Sequence, residues 1–304
     1  MSLVLSTSWN AFRFDDAKSL LFEIKQTGFR ELELSFNLTR PMVEGIAKSA
    51  GFTVRSLHNF CPIPDEVPRQ LALPDCYSMA ATDSEERALA VKNTKRTIDT
   101  AKKLGAEAVV LHCGRVEIAD RTRDLIEMYE KGLSNTQEFN ELKSSIIKER
   151  VNLIGPFFEN TLASLKELNQ HAQKQGISLG VENRFYYREI PTLEEIGIIL
   201  DKFKDSRVFY WHDTGHAQVM QNLGLAEHRR FLDLYADRML GIHLHDLRGC
   251  QDHMAPGEGQ FDFSFLCPYL KNNIIKVVEA HDPATALDIK RSKSFLEGLY
   301  GGCI

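Results

Sequence analysis

Eight short β-branched or apolar runs, each followed by a longer stretch of helical spacing, recur from one end of the chain to the other. This alternation constrains the fold more than any other feature, because repeated strand-helix units pack as a parallel sheet with helices against its faces. The strands are expected at 3–8, 31–35, 54–58, 106–112, 177–182, 207–213, 239–245 and 276–280, with helices such as 15–27, 86–104, 192–203 and 288–299 between them. Gly28, Gly51, Gly105 and Gly176 each separate a helical stretch from a strand, where glycine can take the left-handed conformation that closes a helix. Eight such units in 304 residues predict an α/β chain folded as a single (β/α)8 TIM barrel over 1–304. Two connections exceed simple turns: 59–85, with Pro62, Pro64, Pro68 and Pro74, and 115–150, which is charged and helical in character. They follow strands three and four and so rise from the C-terminal face, the first as a semi-rigid lid over the barrel mouth.

Composition then narrows the classes of function. With 43% hydrophobic and 26% charged residues, the chain can bury a large core and is neither disordered nor fibrous in character. A net charge of -5 supplies no global field toward nucleic acid or an anionic membrane. Residues 1–9 lack a basic segment and a long apolar run, and no later run approaches a membrane span, which predicts a cytoplasmic protein with no membrane partner. The six cysteines, at 61, 76, 113, 250, 267 and 303, show no C-x-x-C spacing, so mostly free thiols are expected. Cys113 and Cys250 fall near the candidate site and read as small packing residues.

Of ten histidines, only His171 and His228 fall inside expected helices. His58, His112, His212, His216, His243, His245, His253 and His281 fall at strand C-termini or just after them. In a barrel those ends ring the active site, so residues remote in sequence converge there. Glu182 ends the fifth strand, Asp213 the sixth and Glu279 the eighth; with His243 of the seventh they offer four ligands on four consecutive strands. Carboxylate oxygens with an imidazole suit Mn2+, Mg2+, Co2+ or Zn2+, with positions left for water or substrate. The competing reading pairs these carboxylates with Arg184 and Arg188 as ordinary ion pairs. The same two arginines are candidates to clamp a substrate phosphate or carboxylate. Trp9 and Phe60, at the ends of strands one and three, are placed either to stack on a sugar face or simply to pack. Asp246 reads as a partner that orients an imidazole or as a helix start.

Leu111-His-Cys-Gly114, Val181-Glu-Asn183, Asp213-Thr-Gly-His216, His243-Leu-His-Asp246, Asp252-His-Met-Ala-Pro-Gly-Glu-Gly259 with Asp262, and Glu279 occur in this order. On these residues the chain resembles the xylose-isomerase-like barrel superfamily over nearly its whole length. That superfamily includes sugar-phosphate isomerases and epimerases, ketose 3-epimerases, inosose dehydratases and apurinic-site DNA endonucleases. The resemblance implies that Glu182, Asp213, His243 and Glu279 are metal ligands, that Glu182 and Glu279 double as acid and base, and that His216 binds substrate oxygens. Its endonuclease branch implies further ligands at His58, His112, His216 and His253, all present here. The aspartate expected for a third metal falls on Gln251, with Asp252 adjacent. His58 and His112 are expected to face the same cavity, His112 as ligand or substrate contact.

A divalent ion that chelates a carbonyl and its neighbouring hydroxyl acidifies the α-carbon and stabilises an enediolate, so proton transfer becomes the hard step. Two carboxylates on opposite sides can return the proton to the other face, which is epimerisation, or to the adjacent carbon, which is isomerisation. The expected function is therefore a divalent-metal-dependent isomerase or epimerase, or a related lyase, acting on a sugar, sugar phosphate or cyclitol. Two alternatives use the same residues: an apurinic-site endonuclease-like phosphodiesterase, and a non-catalytic barrel that binds a sugar or metal. The acidic net charge, the Arg-Phe pair after Asn183 and the many carboxylates of the two insertions depart from a nuclease. A small sugar-like partner and no nucleic acid are expected, with a homo-oligomer left open.

Overall fold

The computed structural model of the protein describes residues 2–302. Its strands are β1 (Val4–Ser6), β2 (Glu31–Leu34), β3 (Thr53–His58), β4 (Ala108–Leu111), β5 (Ser178–Glu182), β6 (Val208–Asp213), β7 (Met239–Leu244), β8 (Asp246–Arg248), β9 (Gln251–Met254) and β10 (Ile275–Val278). Eight of them close a parallel barrel in the order β1-β10-β7-β6-β5-β4-β3-β2, and β8 and β9 form a separate antiparallel hairpin beyond the mouth. The helices are α1 (Ala17–Thr27), α2 (Arg40–Ala47), α3 (Ser84–Leu104), α4 (Thr122–Glu130), α5 (Gln137–Gln175), α6 (Leu193–Lys202), α7 (Thr214–Asn222), α8 (His228–Tyr235) and α9 (Ala286–Tyr300).

The strands are short and almost wholly buried, as a sheet covered on both faces requires. Two layers of apolar side chains result. Outward-facing residues pack on the helices, while Val4, Ala108, Val110, Trp211, Ile275 and Val277 fill the barrel interior. This inner layer makes the floor on which the polar residues of the mouth stand.

The first strand stops earlier than its apolar pattern suggests. Ser6 caps a 3-10 turn, Thr7–Trp9, its side chain accepting from the Ser8 N–H, and this pulls the chain out of the ladder. Gly28, Gly105 and Gly176 close α1, α3 and α5 in the left-handed conformation. Gly51 has the same conformation but lies beyond the end of α2, in the turn that enters β3.

The 59–83 connection is strapped down. The Arg69 guanidinium donates to the carbonyls of Ala11, Phe14 and Asn37, and Arg96 donates to those of Pro62 and Ile63. The 115–150 connection holds α4 and the first turns of α5, a helix of 39 residues. Arg150 ties α5 to α6 through a bidentate pair with Glu195 at 2.7 and 2.8 Å, both side chains nearly buried. Cys61, Cys76, Cys113 and Cys250 are free thiols, and burial raises the pKa of each, so they act as packing residues. Cys303 lies outside the described residues. Among those residues no helix is long and apolar enough to cross a membrane.

Candidate metal centre

Strand alternation aims the charged residues at one point. Residues two apart in a strand share a face. Glu182 therefore stands above Gly180, Asp213 above Trp211, His243 above Gly241 and Glu279 above Val277. The ligand atoms of Glu182, Asp213, His243 and Glu279 all lie within 4.8 Å of one another, and all four residues are buried.

His243 orders this group. Its Nε2 lies 3.0 Å from Glu33 Oε1, while the other Glu33 oxygen accepts from Ser56 Oγ at 2.7 Å. Nδ1 is thereby turned to Glu182 Oε1 at 2.6 Å, Glu279 Oε2 at 3.0 Å and Asp213 Oδ2 at 3.6 Å. Burial opposes a proton on His243, but the carboxylates of Glu279, Glu33 and Glu182 outweigh it and hold its pKa well above the ordinary value. Burial also pushes Glu182, Asp213 and Glu279 upward, and the surrounding imidazoles reverse the sign, holding all three below the carboxylate range. The centre thus gathers three carboxylates, each favoured in its ionised form, around one imidazole. A divalent cation fits such a donor set by taking the proton's place, with Glu33 as the outer carboxylate that fixes the imidazole.

Glu182 and Asp213 each belong to a second group. On one side, His112 Nε2 and His58 Nε2 lie 2.8 and 3.7 Å from Glu182 Oε2, and these three residues converge within 4.8 Å. On the other side, Asp213 converges with His216, His245 and His253. Gln251 is exposed on the hairpin, and the residue that converges with Asp213, His216 and His253 is His245. His245 Nε2 lies 2.9 Å from Asp213 Oδ1, and its Nδ1 accepts from the His253 N–H at 2.9 Å. Asp252 Oδ2 comes to 3.0 Å from His253 Nδ1 and 3.9 Å from His216 Nε2. His253 is the one non-glycine residue among those described with φ in the left-handed region, at 57°. That conformation costs about 1 kcal/mol or more and persists only where contacts impose it. Here the His253 N–H is held by His245, and its carbonyl accepts from the His281 N–H at 2.9 Å.

Asn183 positions the shared carboxylate. Its Nδ2 donates to the Asp213 carbonyl at 3.0 Å and its Oδ1 accepts from the Asp213 N–H at 2.7 Å. Behind it runs a buried chain, Tyr210 Oη to Asn183 Oδ1 at 2.9 Å, Tyr210 Oη to His212 Nδ1 at 2.7 Å, and His212 Nε2 to His228 Nε2 at 3.0 Å. His212 is therefore a supporting residue outside the three groups.

The other sequence candidates divide. Arg184 reaches the centre with both edges already engaged: Nη1 donates to Glu182 Oε2 at 3.0 Å, and Nε and Nη2 face Glu189 at 3.3 and 3.4 Å. It steadies Glu182 as an ion pair. Arg188 stands apart, with Asp120 as its nearest carboxylate at 3.8 Å. Trp9 is buried, its Nε1 donating to the Ala284 carbonyl at 2.8 Å and its ring covered by the Arg13 guanidinium at 4.7 Å, so that face is not open to a sugar. Phe60 packs edge-on against Tyr77. Asp246 neither orients an imidazole nor starts a helix; its oxygens accept from the N–H groups of Leu247, Gly257, Gly259 and Phe261 and shape the loop after the hairpin. Glu33 was not anticipated as a site residue, and His245 was expected only among the eight strand-end histidines, with no ligand role. Period-two alternation carries the signal for both, since Glu33 shares the interior face within Glu31-Leu-Glu-Leu34 and His245 follows His243 by two.

The sequence matches the xylose isomerase-like TIM barrel family over residues 21–297, and the chain belongs to that family. It is 26% identical over 182 residues to the uncharacterized protein y4fM of Sinorhizobium fredii, covering 60% of this chain but 48% of that protein, about half its length. Among solved structures, a D-tagatose 3-epimerase-like protein superposes with a TM-score of 0.67 at 19% identity, covering 100% of this chain and 98% of the other. The IolI protein with a bound zinc atom gives 0.67 at 12% identity, covering 100% and 99%. At such identities the shared feature is the fold.

Proposed function

We propose that the protein is a divalent-metal-dependent isomerase or epimerase of a sugar-like polyol, with Glu279 and Glu182 as its proton-transfer pair. One observation carries the reading: both glutamates face the same ligand atom, His243 Nδ1, at 3.0 and 2.6 Å. Glu182, Asp213, His243 and Glu279 would hold the ion, whose chemistry is to polarise a chelated carbonyl and acidify the adjacent C–H bond. The two glutamates enter from β5 and from the end of β10, with β6 and β7 between them, so they approach that point from different sides. Glu279 is the freer of the two. Apart from His243, its hydrogen-bonding partner is Ser6 Oγ, at 3.5 Å, whereas Glu182 Oε2 is gripped by His112 and Arg184. Glu279 therefore takes the proton, and Glu182 faces it as the fixed partner. The neighbouring imidazoles hold both carboxyls below the usual carboxylate range, which favours the ionised state a base requires. Burial of the centre keeps bulk water from competing for the proton. A cytoplasmic setting and a small-molecule partner belong to the same proposal, and the epimerase-like neighbour supports it.

Incubation of the metal-loaded protein with ketoses, aldoses and inososes in deuterated water tests this reading. One substrate is expected to gain deuterium at an α-carbon. Glu279→Gln should slow the exchange by about 10²- to 10⁴-fold while retaining most of the metal, whereas Glu182→Gln should lose metal and exchange together. No exchange with any member of the panel, by protein carrying its full metal, refutes the reading.

A second reading, metal-dependent phosphodiester hydrolysis, is favoured by the sharing of Glu182 and Asp213 between adjacent ligand groups, the arrangement of a multi-metal site. Incision of an abasic duplex at low salt, lost in Glu279→Gln, would promote it over proton transfer.

A further inference from the structure

The buried chain behind Asn183 continues past His228, and both of its ends have fixed polarity. At the inner end Asn183 grips the two backbone groups of Asp213, which makes its Oδ1 an acceptor without ambiguity. Tyr210 Oη, 2.9 Å away, donates to that oxygen, so the same hydroxyl accepts from His212 Nδ1 at 2.7 Å. At the outer end Asn222 Nδ2 donates to the Gly249 carbonyl at 2.8 Å, in the turn between β8 and β9. Asn222 Oδ1 therefore accepts from Gln218 Nε2 at 2.9 Å, and Gln218 Oε1 accepts from His228 Nδ1 at 3.1 Å. Both imidazoles thus carry a proton on Nδ1, and their Nε2 atoms still meet at 3.0 Å. A hydrogen bond between those two atoms requires one more proton on the pair. Without it, every assignment of the chain sets two acceptors face to face at one of its contacts, in a buried space where an unmade hydrogen bond is costly.

From the direction of these bonds we infer that His228 is held as an imidazolium and is a positioning residue of the metal centre, joining Asp213 to the turn of the β8–β9 hairpin. The role at the metal rests on the reading of Asp213 as a ligand, whereas the protonation does not. His228 is the ring of the pair whose surroundings favour a cation. Phe261 stacks on it with centroids 5.3 Å apart and planes 20° from parallel, and Phe265 stands edge-on at 5.0 Å. The face of an aromatic ring attracts positive charge. Burial pulls the His228 pKa down to about 3, the Asp213 carboxylate raises it and Arg229 lowers it, so solvation alone would leave the ring neutral. The fixed polarity at both ends of the chain is what retains the proton. The ring then has two tasks. Its Nε2–H, through His212 and Tyr210, steadies the Asn183 amide that carries Asp213. Its Nδ1–H, through Gln218 and Asn222, holds Gly249, which leads into the strand bearing Asp252 and His253. Asp213 and His253 belong to one ligand group, and the chain ties together the two segments that bring them there.

Nitrogen NMR of the whole protein, labelled at its histidine rings and kept at neutral pH, tests the inference. Both ring nitrogens of His228 are expected to carry protons, with His212 as the neutral Nδ1–H tautomer. Tyr210→Phe removes the acceptor that fixes the His212 tautomer. The His212 proton can then move to Nε2 and donate to His228, so the imidazolium signature should disappear in a variant that still melts cooperatively. That substitution leaves the charges around His228 in place, so a cation held by its electrostatic surroundings alone would persist. His228→Leu should weaken Zn2+ binding about five- to tenfold, and His228→Gln, an uncharged donor toward His212, should recover most of the loss. A neutral His228 in the wild type, an imidazolium that survives Tyr210→Phe, or an unchanged Zn2+ affinity in His228→Leu overturns the inference. The wild-type spectrum decides the protonation even where a variant does not fold. A wild type that binds no Zn2+ yet shows the imidazolium fails the metal reading, and with it the positioning role, while the protonation stands.

Discussion

Gly215 shows how closely the centre is fitted. It stands between Asp213 and His216, and a Cβ at this position would fall 2.0 Å from His245 Cε1 and 2.5 Å from its Nδ1. No side chain fits there while His245 keeps its place beside Asp213. Gly215→Ala is therefore expected to displace that imidazole, lowering the metal bound by the third group while sparing the central one. Elemental analysis beside the wild type reads the change, and an unaltered stoichiometry would separate His245 from metal binding. The Asp213-Thr-Gly-His216 string could be read from the sequence as a site motif, but the reason for its glycine could not, because His245 arrives from another strand. Glu33 stayed hidden for a related cause. Its strand reads as an ordinary alternation of charged and apolar residues, and only barrel closure brings it under His243. Arg184 shows the converse: its position beside a ligand was legible, whereas its capture by Glu182 and Glu189 depended on a loop conformation that spacing does not encode.

Elements that obey a simple period were legible in advance. The eight barrel strands and the helices between them follow from apolar runs, helical spacing and stop glycines, with ends displaced where a local cap such as Ser6 intervenes. The β8–β9 hairpin was not anticipated, since its residues carry no apolar alternation and Asp246 shapes the loop beyond it through four backbone N–H groups. At this scale the barrel floor is a sensitive place. Trp211 fills it, its ring centroid 5.3 Å from that of His243, and a Cβ on Gly241 would lie 2.3 Å from the Trp211 ring. Gly241→Ala should destabilise the fold by about 1–3 kcal/mol through overpacking, seen as a lower denaturation midpoint. Between α5 and α6, Glu195→Ala strands the nearly buried Arg150 guanidinium and should cost about 3–5 kcal/mol, by the same measurement. Lys276 of β10 supplies a pH signature of its own. Burial lowers its pKa to about 8, while the unfolded chain titrates near the usual 10.5. The unfolded state then binds more protons between those values, so the penalty for burying the ammonium is present below about pH 8 and is relieved as pH rises toward 10.5. Relative to Lys276→Met, the wild type should gain stability between pH 8 and 10. A constant difference across that range would contradict the assignment.

Across the whole molecule, the barrel solves one problem: holding carboxylates and imidazoles from seven strand ends and their following loops around a buried point without letting them neutralise one another by salt bridges alone. The apolar floor below, the strapped 59–83 connection and the hairpin confine that point, and charge repulsion among Glu182, Asp213 and Glu279 leaves a donor set suited to a divalent ion. Family membership and the order of the site residues were legible in the sequence because each lies at the end of its own strand. The enclosure was not, since it depends on how loops remote in sequence meet. Everything proposed about the reaction depends on a metal at this point. The most direct measurement is therefore the metal content of the purified protein reloaded with Mn2+, Co2+ or Zn2+ and freed of excess ion. The account predicts at least one retained equivalent, lost in an Asp213→Asn, His243→Ala double variant that still melts cooperatively. Metal in the wild type no higher than in that variant would contradict it.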